Sequence, residues 1–295
     1  MKEILKNAIQ GFSMALADSV PGVSGGTVAF VLGFYDKLIN SLNALISRKG
    51  DKKGAIRFLV KLGIGWVIGM SIASLILSNL FEIHIYQVSS LFIGFTIFAI
   101  PLIIKEEKEN VKGKYKNLIF TIIGIVIVSA ITYFNPQTGN GANIDITNLN
   151  FGLALYVFVA GMIAISAMIL PGISGSTLLL IFGLYMPIIT GIKETLHFNL
   201  SYIPVLFVFG LGVLAGIALI IKIVKKALEK YRSQTICLII GLMIGSIYAI
   251  MMGATTLKVP QAPLSLKTFN ILCFVIGGLI IFGMDIAKRK LETKE

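Results

Sequence analysis

Long apolar runs alternate with short polar segments along the whole chain, and several of these runs have the length of a membrane-spanning helix. About 17–25 apolar residues are needed to cross the hydrocarbon core of a bilayer. The pattern therefore predicts six plain spanning helices, at about Phe58–Leu80, Val88–Ile104, Leu118–Phe134, Tyr202–Ile221, Thr235–Met252 and Thr268–Met284.

Two further apolar regions, Lys6–Ile46 and Phe151–Ile192, are each interrupted by a cluster of proline, glycine and hydroxyl residues. Proline lacks a backbone N–H and glycine favours irregular backbone, so each cluster predicts a break between two helical arms. The clusters repeat at an offset of 150 residues (171 − 21), which later becomes 147. The matched pairs are Pro21/Pro171, Gly22/Gly172, Ser24/Ser174, Gly25/Gly175, Thr27/Thr177, Gly33/Gly183, Tyr35/Tyr185, Ile39/Ile189, Gly63/Gly210, Gly65/Gly212, Gly69/Gly216 and Gly94/Gly241.

Lysine and arginine are concentrated in alternate loops, at 48–61, 105–116, 222–232 and 288–290, while residues 135–150 and 82–86 contain neither. Such basic loops face the cytoplasm. With that assignment, the first broken region enters and leaves on the cytoplasmic side and the second on the outer side. The sequence thus predicts an all-α integral membrane protein of two inverted-topology repeats, 1–140 and 141–295. Each repeat is a broken re-entrant helical hairpin plus three transmembrane helices, and both termini are cytoplasmic.

Composition agrees with a membrane protein and excludes an ordinary soluble domain. Apolar residues make up 56% of 295 positions, charged residues only 14%, and the mean hydropathy is +0.89. The net charge of +12 lies in loops, where it favours anionic lipid over nucleic acid as a partner. Both cysteines lie within apolar runs, and no metal-binding, ATP-binding or catalytic pattern is present. The two Gly-x-Gly-x-x-x-Gly stretches, 63–69 and 210–216, predict helix-packing faces rather than nucleotide loops, since neither follows a strand. We therefore expect no cofactor, no metal and no enzyme activity.

The two broken turns have the chemistry of an anion site. A helix that begins after a turn has unpaired N–H groups and the positive end of its dipole there. Hydroxyls add donors, and glycines leave room for an oxyanion. We expect Pro21, Gly22, Pro171 and Gly172 to form the turns. The expected substrate-binding residues are Ser24, Gly25, Gly26, Thr27, Ser174, Gly175, Ser176 and Thr177. The alternative is a simple kink between packed helices.

Asp18 is an isolated carboxylate three residues before Pro21, and its counterpart in the second repeat is Met168. An ionisable group at this depth indicates function. It could carry a coupling proton, pair with a cation such as Lys61, or cap the half-helix that follows. Candidate phosphate partners at the rims are Lys6, Lys37, Arg57, Lys61 and Lys193.

Residues Ala17–Thr27 followed by Gly33-Phe34-Tyr35, together with Leu170–Thr177 and Gly183-Leu184-Tyr185, resemble the motifs of the bacterial polyprenyl-phosphate transporter family. The resemblance implies a flippase that translocates undecaprenyl phosphate across the bacterial cytoplasmic (inner) membrane. The lipid would thereby be recycled for cell-wall (peptidoglycan) synthesis. The family motif would place Asp18, the turn residues and the eight binding residues at the phosphate. The alternatives are a channel or exchanger for a small inorganic anion, and an enzyme acting on a lipid phosphate. A homo-oligomer is left open.

Overall fold

The chain is entirely helical over the residues described. The computed structural model describes residues 2–18, 24–47, 50–133, 149–196, 198–256 and 260–292. Within these ranges there are α-helices and short 3₁₀ segments but no strand. The α-helices are α1 Lys2–Asp18, α2 Gly25–Val31, α3 Tyr35–Ile46, α4 Lys52–Glu106, α5 Lys108–Val111, α6 Leu118–Tyr133, α7 Phe151–Ile169, α8 Gly175–Ile181, α9 Tyr185–Leu196, α10 Ile203–Lys230, α11 Arg232–Met252 and α12 Ile271–Glu292.

Six segments within the described residues are long and apolar enough to cross a membrane. They are Lys52–Ile72, His84–Glu106, Tyr115–Tyr133, Phe151–Ile169, Leu200–Lys230 and Arg232–Thr255, with a shorter apolar stretch at Ile271–Gly283. The outward faces are apolar: Val67, Val126 and Leu214 are 58%, 59% and 63% exposed. The protein is therefore a multi-pass membrane protein. The first arm of the second broken region, Phe151–Ile169, also has spanning length by itself.

The chain breaks between two spanning helices within the predicted segment 82–86, but it does so by a kink rather than a loop. His84 has non-helical dihedrals there (φ −124°, ψ 33°), which marks the junction of two helices within α4. The sequence from 70 to 93 contains no glycine or proline, so the two helices meet without an intervening loop.

Both ends of α4 lie at the same end of the bundle. Near its start, the Phe58 ring lies 4.8 Å below the Lys37 ammonium of α3. Beyond its last residue, Glu107 and the neighbouring Asp36 of α3 both bind Arg232. Because Asp36 and Lys37 are adjacent, α4 must fold back at its kink. Basic segments 52–61, 105–116 and 222–232 therefore meet at this one end, which we call the basic end.

Glycines set the closest helix contacts. At most of them a side chain would collide with the partner backbone; at Gly278 it would collide with the Phe98 ring and at Gly245 with the Val128 side chain. Along each pair both helices advance by four residues together, so the paired helices run parallel. The contacts are Gly65–Ala8 and Gly69–Phe12 (α4, α1), Gly212–Phe158 and Gly216–Met162 (α10, α7), Gly241–Thr121 and Gly245–Ile125 (α11, α6), and Gly94–Phe274 and Gly278–Phe98 (α4, α12). The predicted packing role is confirmed for Gly65, Gly69, Gly212 and Gly216, whereas Gly63 and Gly210 face open space.

The short helices that follow the two turns have the same lengths and corresponding boundaries. Helices α2 and α8 have seven residues each, α3 and α9 have twelve, and all four boundaries keep the offset of 150. Between the short helices, Gly33 and Gly183 have positive φ values of +70° and +64°. Glycine is required at both positions because L side chains rarely adopt this conformation.

Candidate functional site

Ser24 begins the first half-helix. Its extended backbone precedes α2, its hydroxyl oxygen accepts the Gly26 N–H at 3.1 Å, and its carbonyl accepts the Thr27 N–H at 2.9 Å. Ser24 is thus an N-cap, as small hydroxyl residues commonly are. The turn residues Pro21 and Gly22 that precede it lie outside the described residues.

Asp18 ends α1 and binds the start of α2. One carboxylate oxygen accepts the Gly25 N–H at 2.7 Å, and the other accepts the Trp66 indole N–H at 2.9 Å. Of the three roles considered for Asp18, these bonds match the helix cap. No ion pair joins Asp18 to Lys61, so the expected pairing with Lys61 is wrong. Sequence reasoning missed Trp66, although it is the only tryptophan in the chain.

The first half-helix therefore does not present free donors, contrary to expectation. Each of its first three N–H groups is bound, by Asp18 or by Ser24. A side chain on Gly25 would lie 2.6 Å from the Asp18 carboxylate. The space predicted for an oxyanion thus exists, and the carboxylate of Asp18 occupies it.

The second turn has a different environment. Gly172 has a φ of +88°, and its N–H donates to the Thr27 hydroxyl at 2.8 Å. Met168 stands where the first repeat has Asp18, close to Gly175. Its side chain offers no carboxylate, and no acceptor for the buried Gly175 N–H is found in the part of the chain described. The Thr177 side chain is partly buried at the start of α8, and the Ser176 side chain lies outside the described residues.

The two turns contact each other directly. The Ser24 hydroxyl lies 3.2 Å from the Met168 carbonyl and 3.3 Å from that of Leu170, and the Tyr35 hydroxyl donates to Ile169 at 3.2 Å. The last carbonyls of a helix lack partners within it. Hydroxyls from the first repeat therefore complete the end of α7. Gly26 is needed here, because its side chain would lie 2.8 Å from the Ile169 carbonyl.

This contact joins Ser24, Thr27, Gly172, Ser174 and Gly175 in one buried region. Ser24 and Thr27 are 1% and 3% exposed, and Ser174 is 7% exposed. The region offers hydroxyls, backbone N–H groups and one carboxylate. These groups are suited to bind an oxyanion and to exchange a proton, and they are less suited to covalent catalysis.

The basic candidates lie apart from the paired turns. Lys37, Arg57 and Lys61 line one cavity at the basic end. Lys6 is exposed near the start of α1, and the side chain of Lys193 lies outside the described residues.

Comparison with known proteins gives concordant results. A profile described as undecaprenyl phosphate translocase-like matches residues 14–268. A polyprenyl-phosphate transporter of Staphylococcus aureus is 34% identical over 93% of this chain and 93% of its own length. One of Vibrio cholerae is 30% identical over 82% of this chain and 76% of its own. No solved structure matches significantly.

Proposed function

The chain belongs to the undecaprenyl phosphate translocase-like family, and from that premise we propose that it transports a polyprenyl phosphate across a bacterial cytoplasmic membrane. The substrate is undecaprenyl phosphate, returned inward after cell-wall precursors have been used. The relatives named as polyprenyl-phosphate transporters support the transport role. The basic end faces the cytoplasm, in line with the distribution of loop charge.

The transport unit is a pair of inverted repeats, 1–140 and 141–295. Helix α1 starts at the basic end and runs parallel to the first half of α4. Helix α7 runs parallel to α10, whose last residues are at the basic end, so α7 starts at the opposite end. Helices α2 and α8 extend only about 10 Å each, against a core of about 30 Å. These observations support two re-entrant hairpins whose tips meet within the membrane.

Phosphate binds where the tips meet. The observation that carries this proposal is the direct bonding of Ser24 and Thr27 to the end of α7 and to Gly172. Transporters built from inverted repeats place their substrate at such broken helices. The Gly175 N–H, for which the described residues offer no acceptor, supplies the first contact together with the Ser174 and Thr177 hydroxyls.

Asp18 controls the other half of the phosphate site. Its carboxylate holds the Gly25 N–H, so a phosphate gains that donor only when Asp18 moves away or takes up a proton. A carboxylate beside a phosphate repels it, which couples headgroup binding to the state of Asp18. Alternating access follows when the tips bind the headgroup in turn from either side. The prenyl chain stays in lipid through a lateral opening.

Lipid scrambling in proteoliposomes tests the proposal. Full-length protein is reconstituted with undecaprenyl phosphate, and a membrane-impermeant phosphatase measures the accessible headgroup. Transport raises that pool from half towards all of the lipid. The variant Gly25→Leu/Gly175→Leu should abolish the rise, because both side chains enter filled space. The control Gly63→Leu/Gly210→Leu changes glycines that face open space, and should transport normally. Access that stays at half while small anions leak would support the anion channel instead.

A further inference from the structure

A cavity lined mainly by polar residues lies at the basic end, apart from the paired turns. It has a volume of about 680 Å³ and forms where the starts of α1 and α4 meet α3. Three cations from two different helices line it: Lys37 of α3, and Arg57 and Lys61 of α4. The cavity is large enough for a phosphate headgroup and the first part of an attached chain.

Cations outnumber carboxylates in the lining of this cavity, three to two. No described residue forms an ion pair with Lys37, Arg57 or Lys61. Of the two acids in the lining, Asp51 accepts the Gly54 N–H at 3.0 Å and caps α4, while Glu3 is exposed at the start of α1. Three cations in one lining, none of them in an ion pair with a described residue, favour an anionic ligand.

Asn7 provides an independent indication of a ligand. It lines the same cavity and is only 5% exposed, yet its side-chain amide has no hydrogen-bond partner among the described residues. Buried polar side chains are normally paired, because an unpaired one keeps its full desolvation cost. An oxyanion in the cavity would accept from the amide NH₂ group.

We propose that this cavity binds a phosphate monoester, as a second headgroup site beyond the paired turns. A monoester carries close to two negative charges at neutral pH, and the three cations of the lining can contact its oxygens. Arg57 supplies a planar fork for two phosphate oxygens, Lys37 and Lys61 supply point charges, and Asn7 supplies a neutral donor. The role of the site as the place of headgroup arrival or release at the basic end rests on the function proposed above.

An apolar surface next to the cavity can accommodate the prenyl chain of a lipid-linked phosphate. On α4, Ile56, Val60 and Ile64 are 50–54% exposed and form an apolar stripe next to Arg57 and Lys61. A headgroup in the cavity therefore leaves its prenyl chain in contact with lipid. Free phosphate shares the headgroup chemistry but would not use the stripe.

Binding to the full-length protein in nanodiscs tests the proposal, with farnesyl monophosphate and inorganic phosphate as probes. The background is Gly25→Leu/Gly175→Leu, which blocks the paired turns. In this background, the change Arg57→Gln/Lys61→Gln should weaken binding of both probes at least about tenfold, since each hydrogen bond from a charged group to phosphate is strong. The uncharged change Asn7→Leu should weaken it several-fold. The control Lys222→Gln/Lys226→Gln removes equal charge from exposed positions on α10 and should bind normally.

The outcomes separate this site from the proposed function. If the cavity variant and the control variant bind the probes equally weakly, binding depends on general surface charge, and the proposed cavity site is wrong. Phosphate binding that survives replacement of Arg57, Lys61 and Asn7 would also contradict the cavity site. If the wild-type protein still scrambles the lipid, the proposed transport function is unaffected by that result. Phosphate binding without any lipid scrambling would keep the site and remove the lipid function. Tighter binding of farnesyl monophosphate than of inorganic phosphate identifies a lipid headgroup, and equal binding identifies free phosphate.

Discussion

Replacing Asp18 by asparagine changes two hydrogen bonds while keeping the shape of the side chain. In the wild type one oxygen accepts the Gly25 N–H at 2.7 Å and the other accepts the Trp66 indole N–H at 2.9 Å. Asparagine keeps one acceptor oxygen and replaces the other by an NH₂ group, which cannot accept. One donor therefore loses its partner, and the remaining bond is no longer charge-assisted.

The size of the effect follows from these two bonds. Bonds to charged groups contribute about 1.5–3 kcal/mol, whereas neutral interhelical bonds in membrane proteins average about 0.6 kcal/mol. Burying an amide costs less than burying a carboxylate, which offsets part of the loss. We expect the free energy of unfolding to fall by about 1–3 kcal/mol without ligand. Stabilisation by added farnesyl monophosphate should increase, because no carboxylate then competes for Gly25.

Unfolding in a denaturing detergent, followed by tryptophan fluorescence, measures this effect directly. Trp66 is the only tryptophan and binds Asp18, so its emission reports on this contact. The matched control is Asp51→Asn, because Asp51 caps α4 and asparagine caps helices equally well. An Asp18→Asn protein with wild-type stability, unchanged emission and unchanged response to the lipid analogue would refute the assigned role of Asp18.

Three further predictions concern packing and charge. Gly65→Leu should destabilise the protein by several kcal/mol because its side chain meets the α1 backbone, whereas Gly63→Leu should change the detergent midpoint little. Thr27→Val should cost about 1–2 kcal/mol in the same assay, because a buried N–H of the second turn loses its acceptor. Desolvation raises the pKa of Glu107, but hydrogen bonds from neighbouring side chains and the charge of Arg232 outweigh it, so the net pKa is lowered. That stabilisation is complete above the ordinary glutamate pKa and is lost as the pH falls through the lowered value. The stability difference between wild type and Arg232→Gln should therefore begin to shrink once the pH falls below the ordinary glutamate pKa; a difference independent of pH would contradict the pairing.

The glycine contacts could be predicted because they depend on local composition and constant spacing. Glycines at matched offsets indicated packing faces, and Gly65 and Gly212 indeed contact neighbouring backbones. The boundary between the two halves of α4 was predicted at 82–86, where His84 lies, but the sequence does not show that the two helices meet there at a kink without a loop.

Hydrogen-bond and ion-pair partners that are distant in the sequence could not be predicted. Nothing near Asp18 indicates Trp66, and the many basic loop residues gave no reason to select Arg232 as the partner of Glu107 and Asp36. The serine and threonine of the first turn were predicted as ligand donors from their type. Their bonds to the end of α7 appear only when the second repeat is in place, because those carbonyls belong to the other half of the chain.

The exchange of helix partners between the two halves has a consequence for biosynthesis. The second half of α4 packs against α12, and α6 packs against α11, so neither half contains all of its own packing partners. Helix α4 ends at Glu106, whereas α12 begins only at Ile271. At about 5–20 residues per second, the ribosome needs roughly ten to thirty seconds to supply that partner. During this interval the small-residue face of Gly94 remains in contact with lipid or with the insertion machinery. The second half of α4 therefore completes its packing only after α12 has entered the membrane. Removing the C-terminal helix α12 should destabilise this part of α4, although the two are far apart in sequence.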